Sequence, residues 1–312
     1  MDPKNTLEKL KLLKSNIEER IVGKSELVDD IIIALISEGH VLIEDVPGVG
    51  KTTLAKALAD SLSLSFSRIQ CTPDTMPSDI SGVSIYNKKT GEFELLPGPV
   101  INNIVLADEL NRTTPKTQSA LLEAMEEKKV TIDGRDQKLP APFMVIGTQN
   151  PAESTGTYPL PEAQLDRFMM KLTIGYPQKE ASFDMAESFL KGNLLKKTEP
   201  ILKAEDILDI CKEVKSVTVN EELINYAINI TEATRNKPEI AWGASPRALL
   251  SLLRCAQAKA LYKGRDYCIP EDILDSALLT LPHRLILSPQ ARMNRLSPNK
   301  LLKSITLNIK VR

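Results

Sequence analysis

The chain is poor in histidine, cysteine and long apolar runs, and each shortage excludes a class of protein. Its two histidines and four cysteines form no CxxC pair and no histidine cluster, so we expect no zinc site and a reducing compartment. No segment approaches the roughly 18 uninterrupted apolar residues of a membrane-spanning helix, and the polar N-terminus lacks a secretory apolar core. We therefore predict a cytoplasmic protein that does not span a membrane.

The chain also lacks an excess of charge of either sign. Its 40 lysines and arginines balance 41 aspartates and glutamates, which leaves a net charge of −1 and does not favour a nucleic-acid partner. The segment from Arg292 to Arg312 carries six basic residues and no acidic ones, and we interpret it as solvated surface rather than as a binding arm. At 312 residues the chain is long enough for two domains, each with its own core.

One segment, Asp45-Val-Pro-Gly-Val-Gly-Lys-Thr52, has the pattern of a phosphate-binding P-loop. It follows the apolar run Val41–Ile43 and precedes helical spacing over Leu54–Leu62, which is the strand, glycine-rich turn and helix that the motif requires. Backbone N–H groups and the helix N-terminus bind phosphates in such a loop. The predicted nucleotide-binding residues here are Pro47, Gly48, Val49, Gly50, Lys51, Thr52 and Thr53.

Two side chains of this loop are assigned chemical roles, and one residue departs from the usual pattern. Lys51 is expected to reach the β and γ phosphates of the nucleotide, and the Thr52 hydroxyl is expected to ligate Mg²⁺. Asp45 stands where the motif usually has its first glycine, so its carboxylate must turn away from the phosphates. The alternative interpretation is an ordinary glycine turn before a helix.

A pair of carboxylates follows a second apolar run. Ile104–Ala107 is typical of a strand buried on both faces of a parallel sheet, and Asp108-Glu109 come directly after it. Open α/β sheets bind their ligands at this edge. We predict that Asp108 helps to hold Mg²⁺ beside Thr52 and that Glu109 polarises the water that attacks the γ-phosphate. The alternative is a solvated Asp-Glu pair that opens a turn.

The apolar pattern divides the chain into two parts near residue 178. In residues 1–178 short apolar runs alternate with helical patterns, which predicts an α/β domain with a doubly wound, parallel, five-stranded sheet. The predicted strands are Val41–Glu44, Ser65–Gln70, Ile104–Asp108, Phe143–Thr148 and Met169–Ile174. In residues 179–312 helical patterns dominate, which predicts an all-helical domain. Its predicted helices are Ala181–Leu190, Ala204–Lys215, Glu221–Arg235, Pro246–Lys263 and Glu271–Leu281.

Two segments of the first part have the pattern of β-hairpins. Ser84–Leu96 alternates around a Thr-Gly turn, and Val130–Leu139 contains Asp-Gly, a strong hairpin signal. One hypothesis is that these hairpins contact a substrate. The alternative is that they are surface hairpins with no role in binding.

Five further stretches carry a family resemblance, in order, between about residues 20 and 285. They are Ile69-Gln-Cys-Thr-Pro-Asp-Thr-Met-Pro-Ser-Asp-Ile-Ser-Gly82, Ala107-Asp-Glu-Leu-Asn-Arg-Thr-Thr-Pro-Lys-Thr-Gln-Ser-Ala-Leu-Leu-Glu-Ala-Met125, Gly147-Thr-Gln-Asn-Pro151, Gly156-Thr-Tyr-Pro-Leu-Pro-Glu-Ala-Gln-Leu-Asp-Arg-Phe168 and Gly264-Arg-Asp-Tyr267. Together these stretches resemble the MoxR family of AAA+ ATPases. The departure is small: Leu281-Pro-His-Arg284 has a proline where a helix is expected to continue.

The resemblance implies a P-loop AAA+ core with a helical lid, and it gives roles to further residues. Asn150 matches the sensor-1 residue, which contacts the γ-phosphate or the attacking water; an Asn-Pro turn is the alternative. Arg167 matches the arginine finger, which reaches into the site of a neighbouring subunit. Its alternative is a surface ion pair with Asp166 or Glu162. Arg112 is a further candidate for the same shared site.

Arg247 matches the sensor-2 residue of the family. Ser245-Pro246 predicts a helix start, so Arg247 lies in the first turn, where a cation opposes the helix dipole. A nucleotide phosphate would offset that cost, and a salt bridge to a protein carboxylate is the alternative. Whether Arg247 acts on the nucleotide of its own subunit or of a neighbour does not follow from the sequence. Val22-Gly23 resembles the segment that contacts adenine.

The resemblance further implies a function. It implies hydrolysis of ATP with Mg²⁺ at sites shared between the subunits of a ring, expected to be a hexamer. It implies chaperone-like remodelling or activation of client proteins, with partners that carry a von Willebrand A domain. The chief alternative is a nucleic-acid motor or helicase-like ATPase, because related AAA+ branches that carry two such hairpins as inserts translocate DNA. A non-catalytic scaffold is disfavoured, because the P-loop, the acidic pair and the arginine finger are all present.

Overall fold

The computed structural model describes residues 3–46, 48–151, 156–191 and 199–310. The strands of these residues are β1 (Val41–Glu44), β2 (Phe66–Gln70), β3 (Gly82–Asn87), β4 (Glu92–Pro97), β5 (Ile104–Asp108), β6 (Lys129–Ile132), β7 (Arg135–Lys138), β8 (Met144–Gln149), β9 (Met170–Leu172), β10 (Ile240–Trp242) and β11 (Ile286–Leu287). The helices are α1 (Pro3–Glu18), α2 (Ser25–Ile36), α3 (Lys51–Ser61), α4 (Pro77–Ser81), α5 (Pro115–Glu127), α6 (Glu162–Leu165), α7 (Lys179–Leu190), α8 (Ala204–Ser216), α9 (Glu221–Arg235), α10 (Pro246–Tyr262), α11 (Pro270–Thr280), α12 (Pro289–Met293) and α13 (Pro298–Thr306).

The central sheet has five parallel strands in the order β2-β5-β8-β1-β9. This confirms the predicted sheet, and the five predicted strands differ from the observed ones only at their ends. In the sheet β8 lies between β5 and β1, with Ala107 paired to Gly147 and Glu44 paired to Gln149. The chain segments that follow these three strands therefore emerge side by side at one edge of the sheet.

Both faces of the sheet are buried, as the continuous apolar run of β5 predicts. Ile104 and Leu106 pack into one core with the N-terminal and lid helices, while Val105 and Ala107 pack into a second core with α4 and α5. Alternate residues of one strand thus bury opposite faces, because side chains of a strand alternate in direction. A strand held from both sides gives the acidic pair at its end a fixed position.

The N-terminal helices belong to the main core rather than to a separate arm. Leu10, Leu13 and Ile17 of α1 are fully buried, at spacings of three and four residues that place them on one face of the helix. Helix α1 packs against α3 of the α/β core and also against α10 of the lid. The N-terminal helices therefore join the two parts of the chain.

The C-terminal region is built mainly of helices that pack on one another, with α10 in contact with α8, α9 and α11. It also contains a small antiparallel sheet, in which Ile240 pairs with Leu287. Strands of three and two residues are too short to show an alternating pattern, so the sequence did not predict them. We propose residue 178 as the boundary of the lid, because β9 precedes it and α7 follows.

Two β-hairpins project from the α/β core at the predicted positions. They are formed by β3 with β4 and by β6 with β7. Gly91 and Gly134 have φ values of +74° and +76° in or beside the turns, a backbone conformation that favours glycine. Among the described residues no helix combines the length and apolar character needed to cross a bilayer.

Candidate functional site

The P-loop connects β1 to α3, and both of its glycines have a positive φ. Gly48 and Gly50 have φ values of +84° and +97°, while a Cβ at either position would meet nothing within 4 Å. Backbone conformation rather than lack of space therefore selects glycine at both positions. Gly50 caps α3, so the free N–H groups of the first turn face the loop. Pro47 lies outside the described residues.

Lys51 is the first residue of α3 and is only 8% exposed. Its ammonium group donates to the backbone oxygen of Asp45 at 2.6 Å. Burial lowers the pKa of Lys51, while the carboxylates of Asp108, Asp45 and Glu109 oppose that shift. A partly desolvated cation beside free helix N–H groups forms an anion site.

The acidic pair lies opposite the P-loop and is held by a threonine that the sequence did not reveal. The buried Thr148 hydroxyl donates to Oδ1 of Asp108 at 2.7 Å and accepts from the N–H of Glu109 at 2.8 Å. Glu109 has a φ of +58°, an uncommon conformation for a side-chain-bearing residue. Strained backbone of this kind is found at functional sites, and here it directs the glutamate out of the strand.

Two side chains of β2 also contact the acidic pair. The Arg68 guanidinium donates to Oδ2 of Asp108 at 2.6 Å and to Oε1 of Gln70 at 2.7 Å. The Gln70 amide donates to Oε2 of Glu109 at 3.1 Å, and Nε of Arg112 lies 3.3 Å from the same oxygen. Arg112 therefore contacts the acidic pair of its own subunit. The sequence of β2 does not predict these contacts. They arise because β2 lies beside β5 in the sheet, which a single sequence does not reveal.

These groups surround one open cavity of about 400 Å³. Its lining residues are Gly48, Gly50, Lys51, Thr52, Thr53, Arg68, Gln70, Asp108, Glu109 and Asn150. The structure thus brings the predicted P-loop, acidic-pair and sensor-1 residues together at the carboxyl edge of the sheet. We call this the P-loop cavity.

The segment predicted to contact adenine, Val22-Gly23, is not among the lining residues of the P-loop cavity. Gly23 has a φ of +75°, and a Cβ there would lie 2.9 Å from Cβ of Ala181 in α7. Val22 is 38% exposed. Gly23 therefore lies against α7, the first helix of the lid. Val49 is partly buried against the main core.

The two arginines matched to the finger and to sensor 2 lie together, away from the P-loop cavity. Nη1 of Arg167 lies 2.9 Å from Oε2 of Glu126 and donates to the backbone oxygen of Leu122 at 2.8 Å. Arg247 pairs with the other oxygen of Glu126. A cavity of about 230 Å³ is lined by both arginines and by Glu126, among other residues. We call this the arginine cavity.

In the single chain, then, both arginines pair with a protein carboxylate. The carboxylate is Glu126 of α5, and not Asp166 or Glu162, the partners considered for Arg167. Arg247 lies in the first turn of α10, whose cap is Ser245 as predicted: the Ser245 hydroxyl accepts from the N–H of Ala248 at 3.0 Å. The sequence missed Glu126 because exposed glutamates are frequent on helices and its partners are distant in the chain.

Asp166 joins the two arginine-bearing segments. Its Oδ2 accepts from the Ser245 hydroxyl at 2.9 Å, and its Oδ1 lies 3.1 Å from Nε of Arg284. Arg284 is only 8% exposed and also donates to the backbone oxygens of Asp166 and Phe168. Burial lowers the pKa of Arg284 to about 10. The proline that interrupts the helix at 282 thus precedes a buried arginine that attaches the Arg167 segment to the lid.

Comparison with known families agrees with this geometry. The model of the ATPase family associated with various cellular activities (AAA) matches residues 40–170, and the model of the AAA lid domain matches residues 232–305. The first match contains the P-loop, the acidic pair and Arg167. The second contains Arg247.

Several known proteins resemble the chain over most of its length. It is 49% identical to an uncharacterized protein, YeaC, of Bacillus subtilis, over 95% of this chain and 92% of the relative. It is 41% identical to chaperone MoxR1 of Mycobacterium tuberculosis, over 93% of this chain and 80% of the relative. A solved structure from Cytophaga hutchinsonii, provisionally described as an ATPase, matches with a TM-score of 0.94 and 40% identity, over 99% of this chain and 97% of that one.

The fold, the P-loop cavity and these matches define an AAA+ ATPase with a helical lid. Within that class, the identity to MoxR proteins over most of the chain decides the branch. The chain belongs to the MoxR family of AAA+ ATPases.

Proposed function

We propose that this ATPase hydrolyses Mg²⁺-bound ATP at sites shared between neighbouring subunits of a ring, and that the ring remodels or activates client proteins. The observation that carries the proposal is the separation of the two cavities. The P-loop cavity contains groups that bind and hydrolyse a nucleotide, whereas Arg167 and Arg247 line the arginine cavity. Two cations in that position are available to the nucleotide of a neighbour.

Within one subunit, the P-loop cavity supplies the groups for phosphoryl transfer to water. Lys51 and the N–H groups of the loop neutralise the β and γ phosphates. Glu109 accepts a proton from the attacking water as the water oxygen bonds to phosphorus and the bond to ADP breaks. Asn150 orients the water or the γ-phosphate. The Gln70 amide, bonded to Glu109, holds the carboxylate in place until substrate binds.

The donor set of the cavity fits Mg²⁺. Magnesium binds through one or two carboxylates together with phosphate oxygens and water, and Asp108 and the Thr52 hydroxyl both line the cavity. Oδ2 of Asp108 already pairs with a cation, the Arg68 guanidinium, so a positive group in the cavity can reach this carboxylate. When bound, the ion neutralises charge on the phosphate oxygens.

Across the subunit boundary, Arg167 and Arg247 would stabilise the charge that spreads over the transferred phosphoryl group. A planar, permanently charged guanidinium suits this role. Glu126 is the anion that both arginines bind in the single chain, and the γ-phosphate of a neighbour would replace it. The symmetry that repeats such a head-to-tail contact closes a ring, which we propose to be a hexamer.

The exposed β3–β4 hairpin is the proposed contact with a client. Phe93 is 70% exposed and packs edge-on against Tyr86, and Ile85 and Leu96 are also more than half exposed. Apolar side chains in such number on a projecting hairpin favour contact with another protein. The relative from Mycobacterium tuberculosis is named a chaperone, which supports a protein client. A partner with a von Willebrand A domain is part of the same proposal.

A nucleic-acid motor receives less support. The net charge of −1 gives the chain no overall attraction for a phosphate backbone, and the MoxR relatives are not named for nucleic acid. We place the protein in the cytoplasm, because its four cysteines are free thiols, as is usual in a reducing compartment.

Two variants test the proposal together. Glu109→Gln should bind ATP but hydrolyse it at least about 100-fold more slowly, because general-base catalysis is lost, and Lys51→Ala should lose tight binding. Each variant would be recovered from native lysate in the presence of ATP. Client proteins should be enriched with Glu109→Gln and not with Lys51→Ala. Wild-type hydrolysis by Lys51→Ala would refute the site, and nuclease-sensitive nucleic acid on Glu109→Gln would favour the motor.

A further inference from the structure

Asp45, the residue that departs from the usual P-loop pattern, contacts three functional segments at once. Its N–H donates to the backbone oxygen of Gln149 at 3.0 Å, and its own backbone oxygen accepts from the Lys51 ammonium at 2.6 Å. One carboxylate oxygen accepts from the N–H groups of Ile174 and Gly175 at 2.7 and 2.6 Å. The side chain is therefore turned away from the phosphate-binding interior of the loop.

Each contact reaches a different part of the catalytic unit. Gln149 precedes Asn150, the sensor-1 candidate, and Lys51 is the phosphate-binding lysine. Ile174 and Gly175 follow β9 and begin the segment 174–178, which leads into α7 and which we call the linker. Asp45 is thus bonded to the sensor-1 strand, the P-loop lysine and the linker between the α/β core and the lid.

These bonds depend on the carboxylate, which a glycine at this position would not provide. Asp45 is 7% exposed, and its second oxygen accepts from the N–H of Val46 at 2.8 Å. Hydrogen bonds from backbone N–H groups to an ionised, buried carboxylate are stronger than those between neutral groups. The aspartate therefore fixes the start of the P-loop against the linker.

We propose that Asp45 is a positioning residue that transmits nucleotide occupancy of the P-loop to the linker, and through it to the lid. The proposal rests on the proposed function in one respect, that Lys51 binds nucleotide phosphate. Without ligand, Lys51 is bonded to the Asp45 backbone. Phosphates that draw the ammonium away change the bonding of Asp45, and its carboxylate carries that change to Ile174 and Gly175.

Hydrogen exchange of the full-length protein tests this directly. We would compare the linker amides without nucleotide and with Mg²⁺-ATP, in a Glu109→Gln background that prevents turnover. The same measurement would be made on Asp45→Asn and Asp45→Gly, with ATP adjusted to equal occupancy. Asp79→Asn is the matched control, because Asp79 also accepts a backbone N–H, that of Met76, but lies in α4.

The expected result has two parts. In the Asp45 variants the linker amides should exchange about 10-fold faster or more without nucleotide, as the loss of a charge-assisted hydrogen bond implies. In addition, ATP should change linker exchange in the parent and in Asp79→Asn but not in the Asp45 variants. A residue that only stabilises the fold would give the first effect without the second.

Retention of the ATP-dependent change in both Asp45 variants would overturn the inference. Failure of the proposed function looks different, since the P-loop amides of the parent would then show no response to ATP. If Asp45→Gly binds no nucleotide, Asp45→Asn provides the comparison, because it keeps the side-chain size and one acceptor oxygen.

Discussion

The P-loop cavity and the arginine cavity are built in different ways. The P-loop cavity is lined by residues from the ends of adjacent parallel strands and from one helix start, so backbone geometry places its groups. The arginine cavity joins α5, the segment before β9 and α10 of the lid through side-chain ion pairs. Groups that the backbone places have a fixed position in each subunit. Side chains that are held only by partly exposed ion pairs can exchange one charged partner for another. We therefore propose that the first region binds the nucleotide and that the second responds to a neighbouring subunit.

The largest expected effect comes from removing the finger. Arg167→Ala should lower ATP hydrolysis about 1,000-fold or more, the range measured for arginine fingers, with ATP affinity little changed. The steady-state rate of ATP hydrolysis and the equilibrium affinity for ATP would be measured on the same preparation of the variant. If affinity falls as much as the rate, Arg167 serves the P-loop cavity of its own subunit, and the contrast between the two cavities is wrong.

Loss of the buried arginine should separate the lid from the finger segment. Arg284→Met removes the partner of the Asp166 carboxylate, and we expect a loss of about 3 kcal/mol in the free energy of unfolding. Urea denaturation measures it, with the exposed Arg135→Met as control. A loss equal to that of the control would show that Arg284 does not hold the arginine cavity together.

A smaller effect is expected at Thr148, which links the Asp108 carboxylate to the backbone N–H of Glu109. Thr148→Val keeps the shape but leaves the Glu109 N–H unpaired, so hydrolysis should fall about 10-fold through misplacement of Glu109. The Michaelis constant for ATP should change less than the rate. An unchanged rate would mean that the backbone of the sheet alone positions the acidic pair.

The smallest effect is expected at Glu126. Glu126→Gln removes the charge that pairs with both guanidinium groups, so the arginines no longer have to leave Glu126 to reach a neighbour. ATP-dependent assembly should therefore occur at a lower protein concentration. The change should be only a few-fold, because partly exposed ion pairs are weak. Sedimentation velocity over a concentration series measures this. Glu127→Gln, at the same exposed helix end, is the matched control. Assembly that needs more protein would show that Glu126 supports the arginines rather than competing for them.

The sequence predicted the parts of the molecule that backbone geometry places, and it did not predict the contacts between distant side chains. The strands, the P-loop and the acidic pair are local patterns in the sequence, and the five strands and their parallel sheet are confirmed. Thr148 bonds the Asp108 carboxylate and the Glu109 N–H from a strand that follows them by about 40 residues. Glu126 pairs with an arginine 121 residues away. Contacts between distant side chains leave no periodic signal in one sequence.

Asp45 shows the same limit in one residue. Its departure from the P-loop pattern predicted only that the carboxylate turns away from the phosphates. Its partners, Ile174 and Gly175, lie about 130 residues further on and become neighbours because β9 pairs with β1. The short lid strands were missed for a different reason, since they have too few residues to alternate.

The most direct test of the shared site mixes two inactive subunits. Lys51→Ala keeps the arginines, and Arg167→Ala keeps the P-loop cavity. If the site is shared, equal amounts should regain up to about a quarter of wild-type ATP hydrolysis, because about one random head-to-tail contact in four joins an intact P-loop to an intact finger. Activity that never exceeds the sum of the two separate variants, in rings shown to contain both, would contradict the account.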